Sequence, residues 1–465
     1  MATTEITLND AATIIADLNQ EYIEKYDFSR LATLDSPTAE DIILDLSLAT
    51  RASLTQKSEA FDAALVALRS GMDLIDIMNI EMALYPLYLK TQEQESEYER
   101  FFLLFAKVYS AQSPKIKHNL TGNNISFFVH TLKGLAHDTT LFNLLKTNDQ
   151  LFIRNWRIII FSVEIDEDIA SNFKSLGVTI VRLKTDSNIA EQLIRYSRAL
   201  DIGEIVWVCL PIWLAYVATQ ISGITWWSLK MHPNIPGLKK YITNDGRDGQ
   251  IIFNGRTWEK FTPSFSAKND GALPADWNNR KCFFGAFCRE ELLEDTSYWT
   301  LVAHLIQELN ISFVYCGRKS IHHRYAHLFS GTDLEKVQFL GWLPNPEEFV
   351  KQVAFVLEPH GRGHGVMATE ALAARIPVLF RDDDILTHSR ISKIYSDSKQ
   401  KICPIKDSFW FMRYSTNEDC KDRARLLIAS EEFNSGEADF QRLLAEQRQG
   451  GTFQDFALLL HYGQA

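Results

Sequence analysis

The sequence predicts an α/β protein in which two doubly wound domains face each other across a cleft, with an all-helical module in front of them. Three observations predict this class. From about residue 122 short apolar strands alternate with helical stretches, a polar linker at 261–279 divides them into two sets, and the first 112 residues show helical spacing with Gly71 as their only glycine. Such alternation predicts parallel sheets that are covered on both faces.

The composition indicates a globular protein and argues against two classes of binding partner. A chain of 465 residues is too long for one ordinary core, and 46% hydrophobic with 23% charged residues is typical of globular proteins. The net charge of −11 argues against non-specific binding to nucleic acid or to an anionic membrane. The N-terminal residues lack the pattern of a signal peptide, and the apolar stretch 205–224 is interrupted by Pro211 and Gly223. We therefore expect no membrane span and a cytoplasmic location.

The spacing of the cysteines also favours a cytoplasmic location. None of the six forms a CxxC pair, and most lie in or beside apolar runs, which favours buried free thiols in a reducing compartment over disulfides. They are Cys209, Cys282, Cys288, Cys316, Cys403 and Cys420.

The elements follow from the periodicity of apolar positions. In the helical module, residues 1–112, helices are predicted at 6–26, 39–49, 57–72, 74–83 and 92–110. In the first doubly wound domain, residues 113–265, strands are predicted at 125–130, 156–162, 178–183, 205–210 and 225–231, and helices at 135–147, 167–176, 189–198 and 211–222.

The second doubly wound domain is predicted at residues 280–430, and C-terminal helices at 431–465. Its predicted strands are 282–286, 311–316, 337–340, 353–357 and 377–380, and its helices 298–308, 322–329, 346–351, 366–374 and 419–429. A further helix is expected at 437–447, followed by an apolar stretch at 453–461. Ligands of such sheets bind outside the carboxyl ends of the strands.

The most informative segment lies at residues 353–380, where a buried strand is followed by a glycine-bearing turn, a helix and a second buried strand. Gly361, Gly363 and Gly365 let the backbone approach a ligand closely. The helix start at Val366 offers unpaired N–H groups to a phosphate. One turn further on, Glu370 can accept hydrogen bonds from the two hydroxyls of a ribose. The segment therefore predicts a nucleotide-sugar site.

Three further loops follow strands of the same domain. Arg289 in GAFCRE is expected to reach a diphosphate, the alternative being a surface arginine paired with Glu290 or Glu294. Arg318 in CGRK is a weaker candidate of the same kind. In LGWLP, the turn at Trp342 and Leu343 is expected to hold the base, the alternative being a tryptophan that only packs.

Two histidines flank the glycines. His360 and His364 have no carboxylate cluster beside them, so we expect contact with phosphate or sugar rather than a metal site, with a solvated loop histidine as the alternative. The acidic triplet 382–384 is interpreted as a solvated turn.

The first doubly wound domain is expected to supply the acceptor side. His137 lies in the loop HTLKGLAHD after the first strand, and His232 lies in KMHPNIP after the strand ITWWSL. Either is a candidate base for an acceptor hydroxyl. Each has an alternative as a capping or packing residue.

Residues 282–380 resemble the nucleotide-binding domain of a GT-B glycosyltransferase, which consists of two Rossmann-like domains. The resemblance is carried by FFGAFCREELLED, SFVYCGR, VQFLGWLP and GHGVMATEALAARIPVLF in this order. Upstream, WWSLKMHPNIPGLKKYITND is similar to a segment of the O-GlcNAc transferase and bacterial adhesin N-glycosyltransferase group. The helical module is similar to the helical N-terminal domain of the adhesin enzymes.

The resemblance implies transfer of a hexose from a nucleotide diphosphate sugar, expected to be UDP-linked, to a protein, glycan or small-molecule acceptor, without metal or other cofactor. Many retaining members carry a glutamate where this chain has Arg362, which favours inversion. Two alternatives remain open: a nucleotide-sugar 2-epimerase, and a non-catalytic scaffold whose helical module binds a partner.

Overall fold

The computed structural model divides the chain into two compact units, residues 1–262 with 453–465, and residues 263–452. The structure describes residues 20–90, 95–113, 116–134, 136–147, 157–208, 210–229, 235–244, 250–253, 256–261, 263, 282–288, 290, 293–317, 319–341, 352–360, 371, 376–381, 411–429 and 451–461. Over these ranges, no helix combines the length and the apolar character needed to cross a membrane.

The first unit begins with helices. They are α1 (Gln20–Glu24), a 3-10 helix (Arg30–Thr33), α2 (Ala39–Ala49), α3 (Leu54–Arg69), α4 (Leu74–Lys90) and α5 (Glu95–Ala111). Capping boxes start two of them, because Thr38 and Ser53 each accept from the third backbone N–H of the helix that follows. Aromatic packing joins the helices, as where the rings of Tyr88 and Phe101 stack 4.5 Å apart.

An eight-stranded sheet follows in this unit, with α-helices between its strands. The elements are β1 (His118–Asn119), β2 (Asn124–Val129), β3 (Thr131–Leu132), α6 (Ala136–Lys146), β4 (Ile158–Ser162), β5 (Glu164–Ile165), α7 (Glu167–Ser175), β6 (Thr179–Arg182), α8 (Ile189–Ala199), β7 (Ile202–Val208), α9 (Leu214–Gln220), β8 (Ile221–Ser222), β9 (Ile224–Ser228), β10 (Lys240–Thr243), β11 (Gln250–Phe253) and β12 (Arg256–Lys260).

The strand order of this sheet is β11-β12-β10-β9-β7-β2-β4-β6, and every neighbouring pair is parallel except β11 with β12. Strands β1 with β8 and β3 with β5 form two small additional pairs. The chain runs outward from β2 through β4 to β6 and then returns to β7 on the other side of β2. The order of strands therefore reverses between β2 and β7, where open α/β sheets bind ligands.

The second unit contains a six-stranded parallel sheet of order β15-β14-β13-β16-β17-β18. Its elements are β13 (Phe283–Phe287), α10 (Thr296–Leu309), β14 (Ser312–Cys316), 3-10 helices at His322–Leu328 and Asp333–Lys336, β15 (Val337–Phe339), β16 (Phe355–Leu357), β17 (Val378–Arg381), β18 (Phe411–Tyr414) and α11 (Asn417–Ala429). Helix α10 buries Tyr298 and Trp299 against this sheet.

A last helix, α12 (Phe453–His461), belongs to the first unit. Its Phe456 is fully buried. The centroid of the Phe456 ring lies 4.8 Å from that of Trp227, 4.9 Å from that of Phe261 and 6.1 Å from that of Phe127. The Lys239 ammonium donates to the Leu460 carbonyl at 3.3 Å. A cation at the C-terminal end of a helix complements the helix dipole.

The predicted alternation is present in both units, with shifted bounds. The helix predicted at 211–222 is the shorter α9, because Ile221 and Ser222 pair with β1. Strands β10 to β12 and β18 were not predicted. The helices predicted at 346–351 and 437–447, and most of the one at 366–374, lie outside the described residues, as does almost all of the linker.

Replacing Phe456 by alanine is expected to destabilise the first unit by about 3–5 kcal/mol, because the substitution leaves a cavity between α12 and the sheet. Denaturant unfolding followed by tryptophan fluorescence measures the change. Leu458→Ala, at an exposed position of the same helix, is the control and should change the free energy of unfolding by less than about 0.5 kcal/mol. Equal effects of the two variants would contradict the packing of Phe456 against the sheet.

Candidate functional site

In the second unit, polar residues gather where the parallel strands end. Strand β16 leads directly into Glu358 and His360, which are 6% and 8% exposed. Strand β17 ends at Arg381 and β18 at Tyr414. Because all six strands are parallel, these residues lie at the same edge of the sheet. The glycine-bearing segment follows His360 directly in the sequence.

The His360 side chain is held on both sides of its ring. Its Nδ1 lies 2.8 Å from Ser297 Oγ and 3.2 Å from Arg381 Nη1, and its Nε2 lies 3.0 Å from Tyr414 Oη. Asp295 Oδ2 is 3.4 Å from Nδ1. These contacts come from the start of α10 and the ends of β17 and β18.

The start of α10 is organised by Asp295. Its carboxylate accepts from the Ser297 backbone N–H at 2.8 Å and from the Ser297 hydroxyl at 2.9 Å. An aspartate at this position satisfies an N–H that the helix cannot bond itself. The ring of Tyr298 then meets that of His360 edge-on at 5.3 Å, and the Tyr298 hydroxyl donates to the Leu357 carbonyl. The polar cluster therefore rests on the core of the sheet.

Close backbone packing joins the ends of β13, β14 and β15. A Cβ atom added to Gly317 would lie 3.1 Å from Glu290 Oε2 and 3.7 Å from the Cys288 carbonyl. The Gly317 N–H donates to the Gly341 carbonyl at 3.1 Å. Gly341 itself has φ of +77°, a conformation that favours glycine. Glycine at 317 thus lets the buried Glu290 side chain pack beside the end of β14.

Of the predicted donor residues, His360 alone is described; it lies at this edge, and its contact with phosphate or sugar stays a prediction. Glu294, one partner considered for Arg289, accepts from Arg324 at 2.9 Å. The other donor residues lie outside the described residues, and their roles stay predictions. They are Arg289, Arg318, Trp342, Leu343, Gly361, Gly363, His364, Gly365, Val366 and Glu370.

In the first unit, the loop after β2 is built around Asp138. Its Oδ2 accepts from the backbone N–H groups of Lys133, at 2.7 Å, and Gly134, at 2.9 Å. Gly134 has φ of +74°, which the turn requires. The neighbouring His137 is half-buried, with Nε2 3.9 Å from Asp138 Oδ1. The structure therefore places His137 in the first turn of α6. Its role as a base stays a prediction, and His232 lies outside the described residues.

His130, the residue that follows β2, was not singled out from the sequence. It is 7% exposed, and its Nε2 is buried and accepts or donates no hydrogen bond within the part of the chain that the structure describes. Burial lowers the pKa of His130; Glu164 opposes this shift and Lys133 adds to it. Its ring lies 5.1 Å from that of Trp213, in the segment after β7. The two rings thus lie where the strand order reverses.

A buried carboxyl group holds Trp213. This residue has φ of 61°, which is rare for a large side chain. Its backbone N–H donates to Glu81 Oε1 at 3.2 Å, and its indole N–H donates to the Met78 carbonyl at 3.0 Å. The Tyr109 hydroxyl donates to Glu81 Oε2. Helices α4 and α5 therefore fix the conformation of a residue at the end of the first sheet.

Burial raises the pKa of Glu81 to about 8, although the hydrogen bonds from Tyr109 and Trp213 oppose this shift. Sequence reasoning missed Glu81 because a single acid on an apolar helix resembles any surface position. The Asp-x-Ser pattern at 295–297 is a helix-start signal that was available for Ser297.

No protein-family model matches the chain, and no curated protein matches it significantly. Solved structures, in contrast, do match the chain. An O-GlcNAc transferase mutant from Thermobaculum terrenum matches with a TM-score of 0.51 and 12% identity over 99% of this chain and 98% of that one. A glycosyltransferase from Rickettsia africae matches with a TM-score of 0.52 and 11% identity, over 74% and 97%.

At these identities the likeness establishes the fold. The chain has the two doubly wound α/β sheets of the GT-B fold, which confirms the predicted fold class.

Replacing Glu81 by glutamine is expected to flatten the dependence of stability on pH. The folded protein keeps the Glu81 proton up to about pH 8, whereas the ordinary value is 4.5. Unfolding therefore releases this proton between those two pH values, so this contribution to the free energy of unfolding is complete below pH 4.5 and is lost as pH rises through 8. Glu81→Gln removes the contribution.

Denaturant unfolding of both proteins at intervals from pH 5 to pH 8.5 measures the difference. The free energy of the wild type should fall relative to that of Glu81→Gln as pH rises. Parallel curves would show that Glu81 is ionised throughout this range in the folded protein.

Proposed function

We propose that this protein is a glycosyltransferase that moves a hexose from a UDP-linked sugar to an acceptor. The observation that supports this proposal is the carboxyl edge of the second sheet. There β16 leads to His360, whose ring has polar contacts at both nitrogens, directly before the glycines of residues 361–365. A sheet edge that ends in such a segment is suited to a diphosphate. The GT-B fold supports this interpretation.

On the donor side, the diphosphate lies against the glycine segment and the helix start predicted at Val366, where backbone N–H groups donate hydrogen bonds to its oxygens. Arg289 and Arg318 contact the same oxygens, and His360 and His364 flank them. Glu370 binds the ribose hydroxyls, and the turn at Trp342 and Leu343 holds the base. The backbone groups concerned are those of Gly361, Gly363 and Gly365.

The leaving diphosphate gains negative charge as the bond to the anomeric carbon breaks. Arginine side chains and oriented N–H groups stabilise that charge without reorganising, and stabilisation of this kind commonly contributes more to the rate than any other effect. We propose that these groups replace a metal ion in this role and that the reaction uses no other cofactor.

On the acceptor side, a base removes the proton from the attacking hydroxyl. His137 and His232 are the proposed bases, and the Asp138 carboxylate beside His137 stabilises the imidazolium that forms. The hydroxyl oxygen forms a bond to the anomeric carbon while the bond to the diphosphate breaks. With Arg362 in place of an acid, we propose a single displacement with inversion.

The proposed substrates are a nucleotide sugar and a protein, glycan or small-molecule acceptor in the cytoplasm. Because one structural neighbour is an O-GlcNAc transferase, UDP-N-acetylglucosamine belongs in the donor panel beside UDP-glucose and UDP-galactose. Calorimetric titration of UDP, GDP, ADP and dTDP tests the donor site. Binding of UDP supports the proposal, and binding of none of the four overturns it.

Two other outcomes identify the alternatives. Conversion of UDP-N-acetylglucosamine to its 2-epimer without an acceptor would indicate an epimerase. Nucleotide binding without turnover of any donor, in the presence of acceptor mixtures, would indicate a scaffold.

Replacing Glu370 by alanine is expected to weaken UDP binding by roughly 10-fold or more, because two hydrogen bonds from the ribose to a charged acceptor are lost. Calorimetry measures the affinity, and Glu335→Ala, at an exposed position of the same unit, is the control. Unchanged affinity of Glu370→Ala would refute the ribose contact.

Replacing His137 by alanine is expected to lower kcat by roughly 100-fold or more and to leave UDP affinity unchanged, because a base acts on the acceptor and not on the nucleotide. His232→Ala is measured in parallel, and the exposed His327→Ala is the control. Full activity of the His137 variant with loss in the His232 variant would assign the base to His232.

A further inference from the structure

Arg381 ends strand β17 at the same edge of the second sheet as His360. Its Nη1 lies 3.2 Å from His360 Nδ1 and donates to Ser297 Oγ at 3.4 Å. The side chain is only half-buried, and β17 is the direct neighbour of β16. The guanidinium is therefore held beside the residue from which the glycine segment starts.

The His360 ring has polar partners at both nitrogens. Ser297 Oγ lies 2.8 Å and Arg381 Nη1 lies 3.2 Å from Nδ1, and Tyr414 Oη lies 3.0 Å from Nε2. The ring is thus fixed at both nitrogens and packed against Tyr298, which leaves it little freedom to turn toward a ligand.

The contacts of Arg381 with His360 and Ser297 orient the guanidinium. The Asp295 carboxylate lies 3.4 Å from the His360 ring, and its hydrogen bonds go to the N–H and hydroxyl of Ser297. An oriented guanidinium at the end of a parallel strand suits a phosphate, which it can bind with two parallel hydrogen bonds.

We propose that Arg381 binds a phosphate group of the donor nucleotide and that His360 is its positioning residue rather than a ligand contact. This inference rests on the proposed function. It adds a cation from β17 that was not recognised in the sequence, where the residues directly after this strand were interpreted as a solvated turn.

The test compares UDP with uridine, which lacks the phosphates. Arg381→Gln is expected to weaken UDP binding roughly 10- to 100-fold, as for loss of charge-assisted hydrogen bonds, and to leave uridine binding unchanged. The UDP affinity of Arg381→Lys should lie between those of the wild type and Arg381→Gln, since lysine keeps the charge but lacks the planar pair of donors. Arg425→Gln, on the exposed side of α11, is the matched control.

The results separate this inference from the proposed function. If the wild type binds none of the four nucleoside diphosphates, both are overturned. If it binds UDP and Arg381→Gln binds UDP equally well, the phosphate contact alone is overturned. Equal weakening of UDP and uridine binding by Arg381→Gln would show a general distortion and would also overturn the contact.

The positioning role of His360 has its own test. His360→Leu removes the polar contact with Arg381 and should weaken UDP binding about 10-fold, whereas His360→Asn keeps a polar group near the former Nδ1 and should restore part of this loss. Uridine binding should not change in either variant. Equal UDP affinities of the leucine and asparagine variants would overturn the positioning role.

Discussion

Parallel pairing of the strands is the constraint on which the rest of this molecule depends. Because every strand of the second sheet, and every strand but β11 of the first, runs in one direction, residues distant in sequence end at one edge. This brings His360, Arg381 and Tyr414 together from three strands. It also places His130 beside Trp213, at the reversal of strand order. The candidate sites of both units are consequences of this geometry.

Buried polar contacts then fix the positions of the side chains at these sheet edges. A buried polar group costs free energy unless it finds a partner, so each such group selects one arrangement of its neighbours. His360 is bonded at both ring nitrogens, and Glu81 bonds a backbone N–H of Trp213 and the Tyr109 hydroxyl. The second contact joins the helices of the first unit to its sheet, so the helical residues have a structural role at the edge.

Prediction from the sequence worked where a signal is local and periodic. The strands around Phe127, Val206 and Val356 are runs of apolar residues bounded by turns, and such runs identify buried parallel strands. Strand β18, FMRY, was missed because its arginine interrupts the apolar residues and no apolar run marks it. His360 was found from the glycines beside it, and Tyr414 was missed because nothing in its own neighbourhood marks it.

The sequence by itself therefore determined the fold class, the division into two α/β sets and the strand that carries the glycine segment, since these depend on the spacing of apolar residues and on local turn chemistry. Only the tertiary structure decided that the His360 ring faces Arg381 and Tyr414, and that Glu81 supports Trp213 from another helix. Those contacts join residues 21 to 132 positions apart, and their energy depends on burial and direction, which no local pattern records.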